Sequence, residues 1–255
     1  MKWSKPVNMP THQMHRGAHP KDLTLFSRAN IKILYQAARD LSELLTKGYA
    51  ENGSLKLVGD HFQLKSRQRK ALMRIAISDQ TTKSIRSKQL SEKDVAGKAL
   101  AVDGFNMLIF AESLLGHGFL FEGMDRVFRD IASIHGTYKK VLETGRAVQL
   151  LGKTFHDLQV SRVTWYLDAP VSNSLRLKNY LLNQTWSMKG SWNVEVVQDP
   201  DVLLKNMENT TVCTNDRVIL ECTGGWFNLS GFLVQHANHQ NPNVIYMTKR
   251  PTWLN

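Results

Sequence analysis

The hydrophobic periodicity changes type near residue 97, and this change limits the architecture more than any other feature of the chain. Before it, apolar residues over 23–45 recur at three- and four-residue spacings, the period of a helix. After it, short strand-like runs alternate with helix-like stretches, and the runs are Ala99–Val102, Arg162–Leu167, Val194–Val197, Thr211–Cys213 and Val244–Met247. This alternation predicts an α/β fold, a three-layer sandwich around a mostly parallel central sheet, preceded by a small all-α helical domain.

The helices are predicted from apolar spacing and capping residues. Beyond residue 97 they are expected at Met107–Leu115, Met124–Ile134, Gly145–Leu158, Leu175–Met188, Asp201–Lys205 and Trp226–His236. Before it, a long helical pattern from Asp22, a short helix at Ser54–Asp60 and a basic helix at Arg67–Ser78 follow the order of helix-turn-helix-like modules. We therefore expect a flexible arm (1–20), a basic helical domain (21–96) whose last part, 79–97, is a linker or surface helix, and an α/β domain (97–255).

The positive charge is concentrated in the N-terminal part. The chain carries a net charge of +11, of which +10 falls in residues 1–97 and +1 in residues 98–255. A positive field on one module favours a polyanionic partner such as nucleic acid, although a basic helix face is often only a solvated face. The candidate nucleic-acid-binding residues are Arg67, Arg69, Lys70 and Arg74 on the basic helix, with Arg126 and Arg129 further along the chain.

Several classes of protein are excluded by what the sequence lacks. It has no apolar run of about 18 residues and no apolar stretch near its start, so we expect a cytoplasmic protein without a membrane partner. Its two cysteines, Cys213 and Cys222, are too few for a zinc set and are expected to be reduced. The absence of HExxH, GxSxG and GxGxxG motifs argues against a zinc hydrolase, a serine hydrolase and a dinucleotide-binding site.

Aspartates follow the predicted strands. Asp103, Asp168 and Asp216 each follow a strand-like run, and Asp201 lies just past another. A single aspartate in such a place is usually a helix cap, but the carboxyl ends of parallel strands meet at one edge of a sheet, where ligands gather. Carboxylates that converge there repel one another unless a cation neutralises them, and hard oxygen ligands favour Mg²⁺ or Mn²⁺. Such an ion activates water and stabilises charge on a phosphoryl group.

Three motifs make the resemblance to a known superfamily specific. Asp103-Gly-Phe-Asn106, at the end of the first strand, resembles the opening motif of PIN-like and NYN nucleases. Asp201-Val-Leu-Leu resembles the acidic position that opens a helix in NYN domains, and Thr214-Asn215-Asp216 resembles their late motif. The resemblance covers roughly residues 97–250. The whole chain is similar to an uncharacterised prokaryotic family that joins a helical domain of unknown function to a PIN-like domain, and in which Leu-Asp168-x-Pro170-Val-Ser172 recurs.

The resemblance implies a metal-dependent endoribonuclease that hydrolyses phosphodiester bonds, with RNA favoured over DNA. By the same resemblance, Mg²⁺ or Mn²⁺ is the cofactor. The implied metal ligands are Asp103, Asp168 and Asp216; the catalytic residues are these three and Asp201; the supporting residues are Asn106 and Thr214.

One departure from the superfamily pattern leaves alternatives open. The late motif often carries a second acid two residues further on, where this chain has Val218. Asp125 and Asp130 are the preferred substitutes and supporting residues, ahead of Glu112 and Glu221. A non-catalytic nucleic-acid-binding or regulatory protein is therefore the alternative function. A haloacid-dehalogenase-type phosphatase is disfavoured because Phe105 stands where that family has its second Asp. The oligomeric state, including a homo-oligomer, stays open.

Overall fold

The computed structural model describes residues 14–132, 136–184, 192–236 and 241–247. The N-terminal part is helical, with α1 (Asp22–Leu25), α2 (Arg28–Thr46), α3 (Glu51–His61), α4 (Ser66–Ile75), α5 (Asp79–Ser87) and α6 (Glu92–Val95). None of the helices within these ranges is both long and apolar enough to cross a membrane.

The α/β part is built on a parallel central sheet. In the described residues its strands are β1 (Gln89–Leu90), β2 (Ala99–Asp103), β5 (Arg162–Asp168), β6 (Trp192–Val197), β7 (Thr211–Cys213) and β8 (Trp226–Phe227). The order across the sheet is β1-β8-β7-β2-β5-β6, and every pair of neighbours is parallel. All these strands therefore place their carboxyl ends at the same edge.

Helices cover both faces of this sheet. They are α7 (Gly104–Leu115), α8 (Thr144–Asp157), α9 (Ser174–Gln184), α10 (Pro200–Lys205), α11 (Arg217–Cys222) and α12 (Leu229–His236). Strand β2 shows why both faces are apolar: Leu100 and Val102 pack with α7, α8 and α9, whereas Ala101 between them packs with α5, α10 and α11. Side chains alternate along a strand, so a central strand buried on both sides reads as a continuous apolar run. The predicted α/β class, with its three layers and mostly parallel sheet, is confirmed.

A smaller second sheet contains β3 (Leu120–Glu122), β4 (Phe128–Asp130) and β9 (Val244–Ile245), in the order β4-β3-β9. The prediction of a helix over Met124–Ile134 is wrong, because β3 and β4 form an antiparallel hairpin there. The Asp125 carboxylate accepts from the Val127 amide at 3.2 Å, and Arg126 takes a left-handed φ of 72°, which no helix accommodates. Residues 133–135 lie outside the described ranges.

The helical part packs against this second sheet. An apolar cluster joins Leu34, Leu72 and Ile75 from α2 and α4 to Phe121 on β3 and to Phe119 just before it. The two parts of the chain therefore share a core. Residues 14–20, which belong to the predicted flexible arm, lie against the α/β part; residues 1–13 are outside the described ranges.

An ion pair holds this segment in place. The Arg16 Nε donates to the fully buried Glu112 carboxylate at 3.1 Å, and the same carboxylate accepts from Tyr138 and Thr144. In the structure, residues 14–20 are therefore attached to α7 and are not a free arm.

The other predicted elements differ from the structure mainly at short strands and at one short helix. The predicted linker or surface helix at 79–97 contains the surface helix α5, but also β1, which pairs with β8 at one margin of the sheet. Trp226–Phe227 is β8 and not the start of a helix, and Arg217–Cys222 forms a helix that was not predicted. The predicted strand at Val244–Met247 is present as β9 in the second sheet. The last residues of the predicted helix Leu175–Met188 lie outside the described ranges.

Candidate functional site

The strand order identifies one crevice at the carboxyl edge of the main sheet. From β2 the chain moves to β5 and β6 on one side, and then returns to β7 and β8 on the other. The order therefore reverses between β2 and β7. In open parallel sheets, ligands bind in the crevice outside the carboxyl ends of the strands at such a reversal. Asp103 ends β2, and Thr214, Asn215 and Asp216 follow β7.

Asp103 is held at this reversal by a tight turn into α7. A side chain at Gly104 would place its Cβ 2.8 Å from the Tyr166 carbonyl oxygen and 2.5 Å from Leu167 Cδ2, so the close approach of α7 to β5 requires glycine. Asp103 occupies the N-cap position of α7, but its carboxylate makes no capping hydrogen bond. The usual structural reason for an aspartate at a strand end therefore does not apply to Asp103.

The Asp103 carboxylate is instead directed at the late motif. It is 9% exposed, and its Oδ2 accepts from the Thr214 hydroxyl at 2.7 Å. The pKa of Asp103 is raised to about 7, chiefly by burial, against the opposing Thr214 hydrogen bond and with a smaller contribution from the negative charges of Asp201 and Asp216. The Asp103 carboxylate therefore lies in a region of negative potential to which the loop after β7 and the first turn of α10 both contribute.

The loop after β7 is tied to the first motif by hydrogen bonds. The Asn106 Oδ1 accepts from the Asn215 amide at 2.9 Å, and the Thr214 hydroxyl accepts from the Asp216 amide at 3.1 Å. Asp216 Oδ1 caps α11 by accepting from the Val218 amide at 2.8 Å. Asn106 and Thr214, the predicted supporting residues, thus join the two motifs. Asp216 has a capping role in addition to its place at the edge.

The side chain of Asn215 is buried without a partner. It is 4% exposed, and among the described residues neither its Oδ1 nor its Nδ2 has a hydrogen-bond partner. An unsatisfied buried polar group costs about 1–3 kcal/mol, and such groups in native proteins call for an explanation such as strain, a water or an ion. The sequence offered no signal for this residue beyond its place in the late motif.

Asp168 and Asp201 complete the set of acids at this edge. Asp168 is half-buried at the end of β5, and Asp201 is exposed in the first turn of α10. Burial raises the pKa of both carboxyls; Asp201 and Asp199 add to the effect on Asp168, and Asp216 adds to the effect on Asp201. Asp199, which the sequence reading did not select, caps α10 by accepting from the Val202 amide at 3.0 Å. Asp199, and not Asp201, therefore caps this helix.

The edge carries clustered negative charge but not a preassembled metal cage. Within the described ranges, no three His, Cys, Asp or Glu side chains stand close enough together to hold one ion. Over the same ranges none of the four strand-end aspartates forms an ion pair with a basic side chain. The donor set, all carboxylate oxygen, suits Mg²⁺ or Mn²⁺ in chemistry. Mutual repulsion separates such carboxylates when no cation lies between them.

The structure places the four suggested substitute acids away from this set. Asp125 is fully buried in a two-pronged ion pair with Arg129, with N to O distances of 2.8 and 2.6 Å. Asp130 lies on β4, where its Oδ1 accepts from the Ala132 amide. Glu112 belongs to the network that holds Arg16, and Glu221 accepts from Thr81 on α5. The expectation that Asp125 and Asp130 occupy nearby helical turns fails because the segment is a hairpin.

The candidate nucleic-acid-binding cations divide into two groups. Arg67 forms a two-pronged pair with the buried Asp22, at 2.5 and 2.7 Å, and Arg69 binds Asp60 at 2.7 Å. Arg126 lies 3.3 Å from Glu122. These three arginines are engaged in contacts within the fold. Lys70 and Arg74 are exposed and line a cleft, described next.

A cleft of about 340 Å³ separates α4 from the late motif. Lys70 and Arg74 line one side, and Asp216 and the exposed Val218 line the other. Arg129 lies at its base, where its Nε donates to the Asn215 carbonyl at 2.7 Å. The buried Arg129 therefore braces the loop that carries Asp216, a role that no feature of the sequence indicated. The cleft brings basic residues of the helical part to one end of the acidic edge.

Comparisons with known proteins give two family matches and one relative. Residues 92–232 match a domain of unknown function, DUF5616, and residues 33–88 match a protein family of unknown function, DUF434. The chain is 31% identical over 186 residues to the uncharacterized protein MJ0935 of Methanocaldococcus jannaschii, an alignment that covers 73% of this chain and 88% of that protein. No solved structure matches.

Neither family description refers to a nuclease or to a PIN or NYN domain, so the resemblance noted from the motifs stays a prediction. The DUF5616 match covers β2, β5, β6 and β7 with all four strand-end aspartates, and the DUF434 match covers most of the helical part. The chain belongs to the DUF5616 family.

Proposed function

We propose that this protein is a metal-dependent nuclease, specifically an endoribonuclease, whose reaction takes place at the carboxyl edge between β7 and β5. The observation that carries the proposal is the environment of Asp103. It is a nearly buried carboxylate at the strand-order reversal and makes no capping hydrogen bond; burial raises its pKa, and two further carboxylates add to the rise. Strongly perturbed carboxyls gathered in a crevice are typical of functional sites.

Asp103, Asp168 and Asp216 are the proposed ligands of Mg²⁺ or Mn²⁺, with Asp201 beside them. A divalent cation at this position would supply the positive charge that the edge lacks, and would provide a nucleophile from water and stabilise charge on a phosphoryl group. Thr214 keeps Asp103 oriented by donating to its Oδ2, and Asn106 fixes the late motif by accepting from the Asn215 amide.

RNA is the proposed substrate, and its path begins in the cleft beside α4. Lys70 and Arg74 lie there facing Asp216, and the helical part carries most of the net positive charge of the chain. Cations that contact phosphates position a strand without selecting its sequence. We also propose a cytoplasmic location, in keeping with two free cysteines, of which Cys222 is exposed.

A non-catalytic RNA-binding role is the second candidate. Val218 is exposed in the first turn of α11 beside Asp216, where the resembled motif often carries another acid. A site with fewer acidic ligands holds a divalent cation more weakly. On this reading the cleft binds RNA and the edge performs no chemistry.

The decisive experiment compares wild type, Asp103→Asn and the exposed-helix control Asp40→Asn in RNA cleavage with Mg²⁺, Mn²⁺ or EDTA. We expect Asp103→Asn to lower the cleavage rate at least about 1,000-fold, or several kcal/mol in activation free energy, because the amide keeps the shape but loses the charge that attracts the cation. RNA affinity measured in EDTA should stay within about twofold.

Cleavage by wild type that persists in EDTA, or an Asp103→Asn variant as active as the control, would show that another group does the chemistry. RNA binding by all three proteins with no cleavage by any would favour the non-catalytic candidate.

A further inference from the structure

A second concave surface adjoins the other end of the acidic edge. It is a pocket of about 280 Å³, and its lining includes Lys139, Lys140, Arg176 and Tyr180. No carboxylate lines this pocket. Within the described ranges, none of the three cations forms an ion pair.

The wall of this pocket is continuous with the loop that follows Asp168. The Ser172 carbonyl accepts from the Tyr138 amide at 3.2 Å, and the Asn173 Nδ2 donates to the Tyr138 carbonyl at 2.9 Å. At the start of α9, the Ser174 hydroxyl donates to the Asp168 carbonyl. These hydrogen bonds fasten the segment bearing Lys139 and Lys140 to the strand end bearing Asp168.

One of the cations is oriented by an aromatic ring. The Lys140 Nζ lies 3.9 Å from the centre of the Tyr180 ring, which is within the range of a cation–π contact. Three like charges around one concavity repel one another, and an anion relieves that repulsion. Among the residues that the structure describes, none that lines the pocket supplies this anion.

The strand order relates this pocket to the cleft beside α4. Asp216 follows β7, Asp103 ends β2 and Asp168 ends β5, and these strands are consecutive neighbours in the sheet. Neighbouring strands lie about 4.8 Å apart, so the ends of β7 and β5 are separated by roughly 10 Å. The acids therefore lie between two basic concavities, the cleft at the β7 end and the pocket at the β5 end.

From this arrangement we propose that the pocket is a second phosphate-binding subsite for single-stranded RNA. Lys139, Lys140 and Arg176 bind the backbone phosphates of nucleotides that have passed the acidic edge, while Lys70 and Arg74 hold the strand on the other side. The inference rests on the proposed function for its substrate, and it assigns that substrate a path across the edge from β7 to β5.

The test measures binding and cleavage separately. A fluorescein-labelled single-stranded RNA of mixed sequence is titrated in EDTA with wild type, with the triple variant Lys139→Ala/Lys140→Ala/Arg176→Ala, and with the control Lys93→Ala/Lys98→Ala/Arg162→Ala. The control removes the same charge from exposed positions near the amino end of the sheet. Cleavage in Mn²⁺ is then followed for each protein.

We expect the pocket variant to bind at least about tenfold more weakly, with a salt slope reduced by about 2, as loss of three phosphate contacts on a single strand predicts. The control should bind like wild type. All three replaced side chains of the pocket variant are exposed, and its melting temperature should match that of wild type.

Equal affinity of the pocket variant and wild type would overturn the subsite, as would an equal loss in the control, because the effect would then be one of total charge. Wild type that cleaves RNA while the pocket variant binds and cleaves normally would refute the subsite alone. Wild type that binds through the pocket but cleaves nothing would refute the nuclease alone. Absence of RNA binding by wild type would refute both.

Discussion

The buried acids of this protein are of two kinds, which differ in whether they form an ion pair with an arginine. Away from the main edge, each carboxylate that is buried in the described part of the chain is matched by a guanidinium, and the pairs are Asp22 with Arg67, Glu112 with Arg16, Glu122 with Arg126 and Asp125 with Arg129. At the carboxyl edge, Asp103 is nearly as buried but is surrounded by a hydroxyl and by other carboxylates. The fold thus neutralises negative charge where the acid has a structural role and leaves it uncompensated at one edge.

This difference is a better guide to function than burial or acidity alone. Burying an ionised carboxylate without a partner is costly, so natural proteins pair such groups or shift their pKa. A fold that pairs four buried acids and leaves Asp103 without an ion-pair partner retains Asp103 at a cost in stability. A cation that binds only the folded state recovers that cost by mass action.

The largest effect on stability should come from breaking a structural pair. We expect Arg129→Met to lower the free energy of unfolding by about 3–5 kcal/mol, because Asp125 is left as a buried charge without its partner. The comparison is Asp168→Asn at the edge, which should lose less than about 1 kcal/mol. Urea unfolding at pH 7 in EDTA measures both.

A double variant separates two effects of Arg129→Met: the orphaned charge of Asp125 and the loss of the other Arg129 contacts. In Arg129→Met/Asp125→Asn the orphaned charge is removed, while the amide oxygen still accepts from the Val127 amide. This double variant should recover more than half of the loss. If Asp168→Asn cost as much as Arg129→Met, the division into structural and edge acids would fail.

The next effect concerns pH. The folded-state pKa of Asp103 is about 7, above its ordinary value of 3.8, so the folded protein binds this proton more tightly than the unfolded chain does. The corresponding stabilisation is complete below about pH 4 and is lost as the pH rises to 7. Asp103→Asn lacks this dependence.

The stability of wild type relative to Asp103→Asn should therefore fall by roughly 2–3 kcal/mol between pH 5 and pH 8 in EDTA. Urea unfolding of both proteins at the two pH values gives the difference. Added Mn²⁺ at pH 8 should stabilise wild type more than the variant. A relative stability that does not change with pH would mean that Asp103 is already neutralised by another group.

The smallest expected effects on stability distinguish an arginine that pairs with a buried acid from the basic residues that line the cleft. Arg67→Ala should lower stability by about 1–2 kcal/mol, because Asp22 is 1% exposed and loses its partner. Lys70→Ala/Arg74→Ala should lose less than about 0.5 kcal/mol but weaken RNA binding severalfold, since both side chains line the cleft. Thermal melts and anisotropy titrations on the same samples separate the two outcomes. Equal losses of RNA affinity in both variants would contradict the assignment.

The main sheet and its acidic edge could be predicted because their signals are local. Apolar runs such as Ala99–Val102 identify a buried strand, and an aspartate after each run needs only the parallel topology to reach the same edge. The hairpin at Met124–Asp130 could not be predicted from spacing, because its apolar residues also fit a helix. Its turn depends on a left-handed φ at Arg126, a conformation that residues other than glycine rarely adopt. Two-residue strands such as β1 and β8 leave too short a pattern to detect.

The partners of the charged residues were beyond local reasoning. Arg67 and Asp22 are 45 residues apart, and Arg129 and Asn215 are 86 residues apart, so only the fold shows that these arginines have structural roles. The side-chain amide of Asn215, which has no hydrogen-bond partner among the described residues, could not be predicted either. Burial and hydrogen bonding of a side chain depend on the packing of the whole fold.

The strand β1 determines whether the α/β part can fold without the helical part. It pairs with β8, and the fully buried Trp226 donates its indole N–H to the Ile85 carbonyl of α5 at 2.7 Å. A truncated chain that starts at residue 97 would uncover one side of β8 and leave this indole unsatisfied. Exposed strand margins are templates for self-association. Such a fragment should precipitate or form oligomers, and the two parts of this chain should behave as one folding unit.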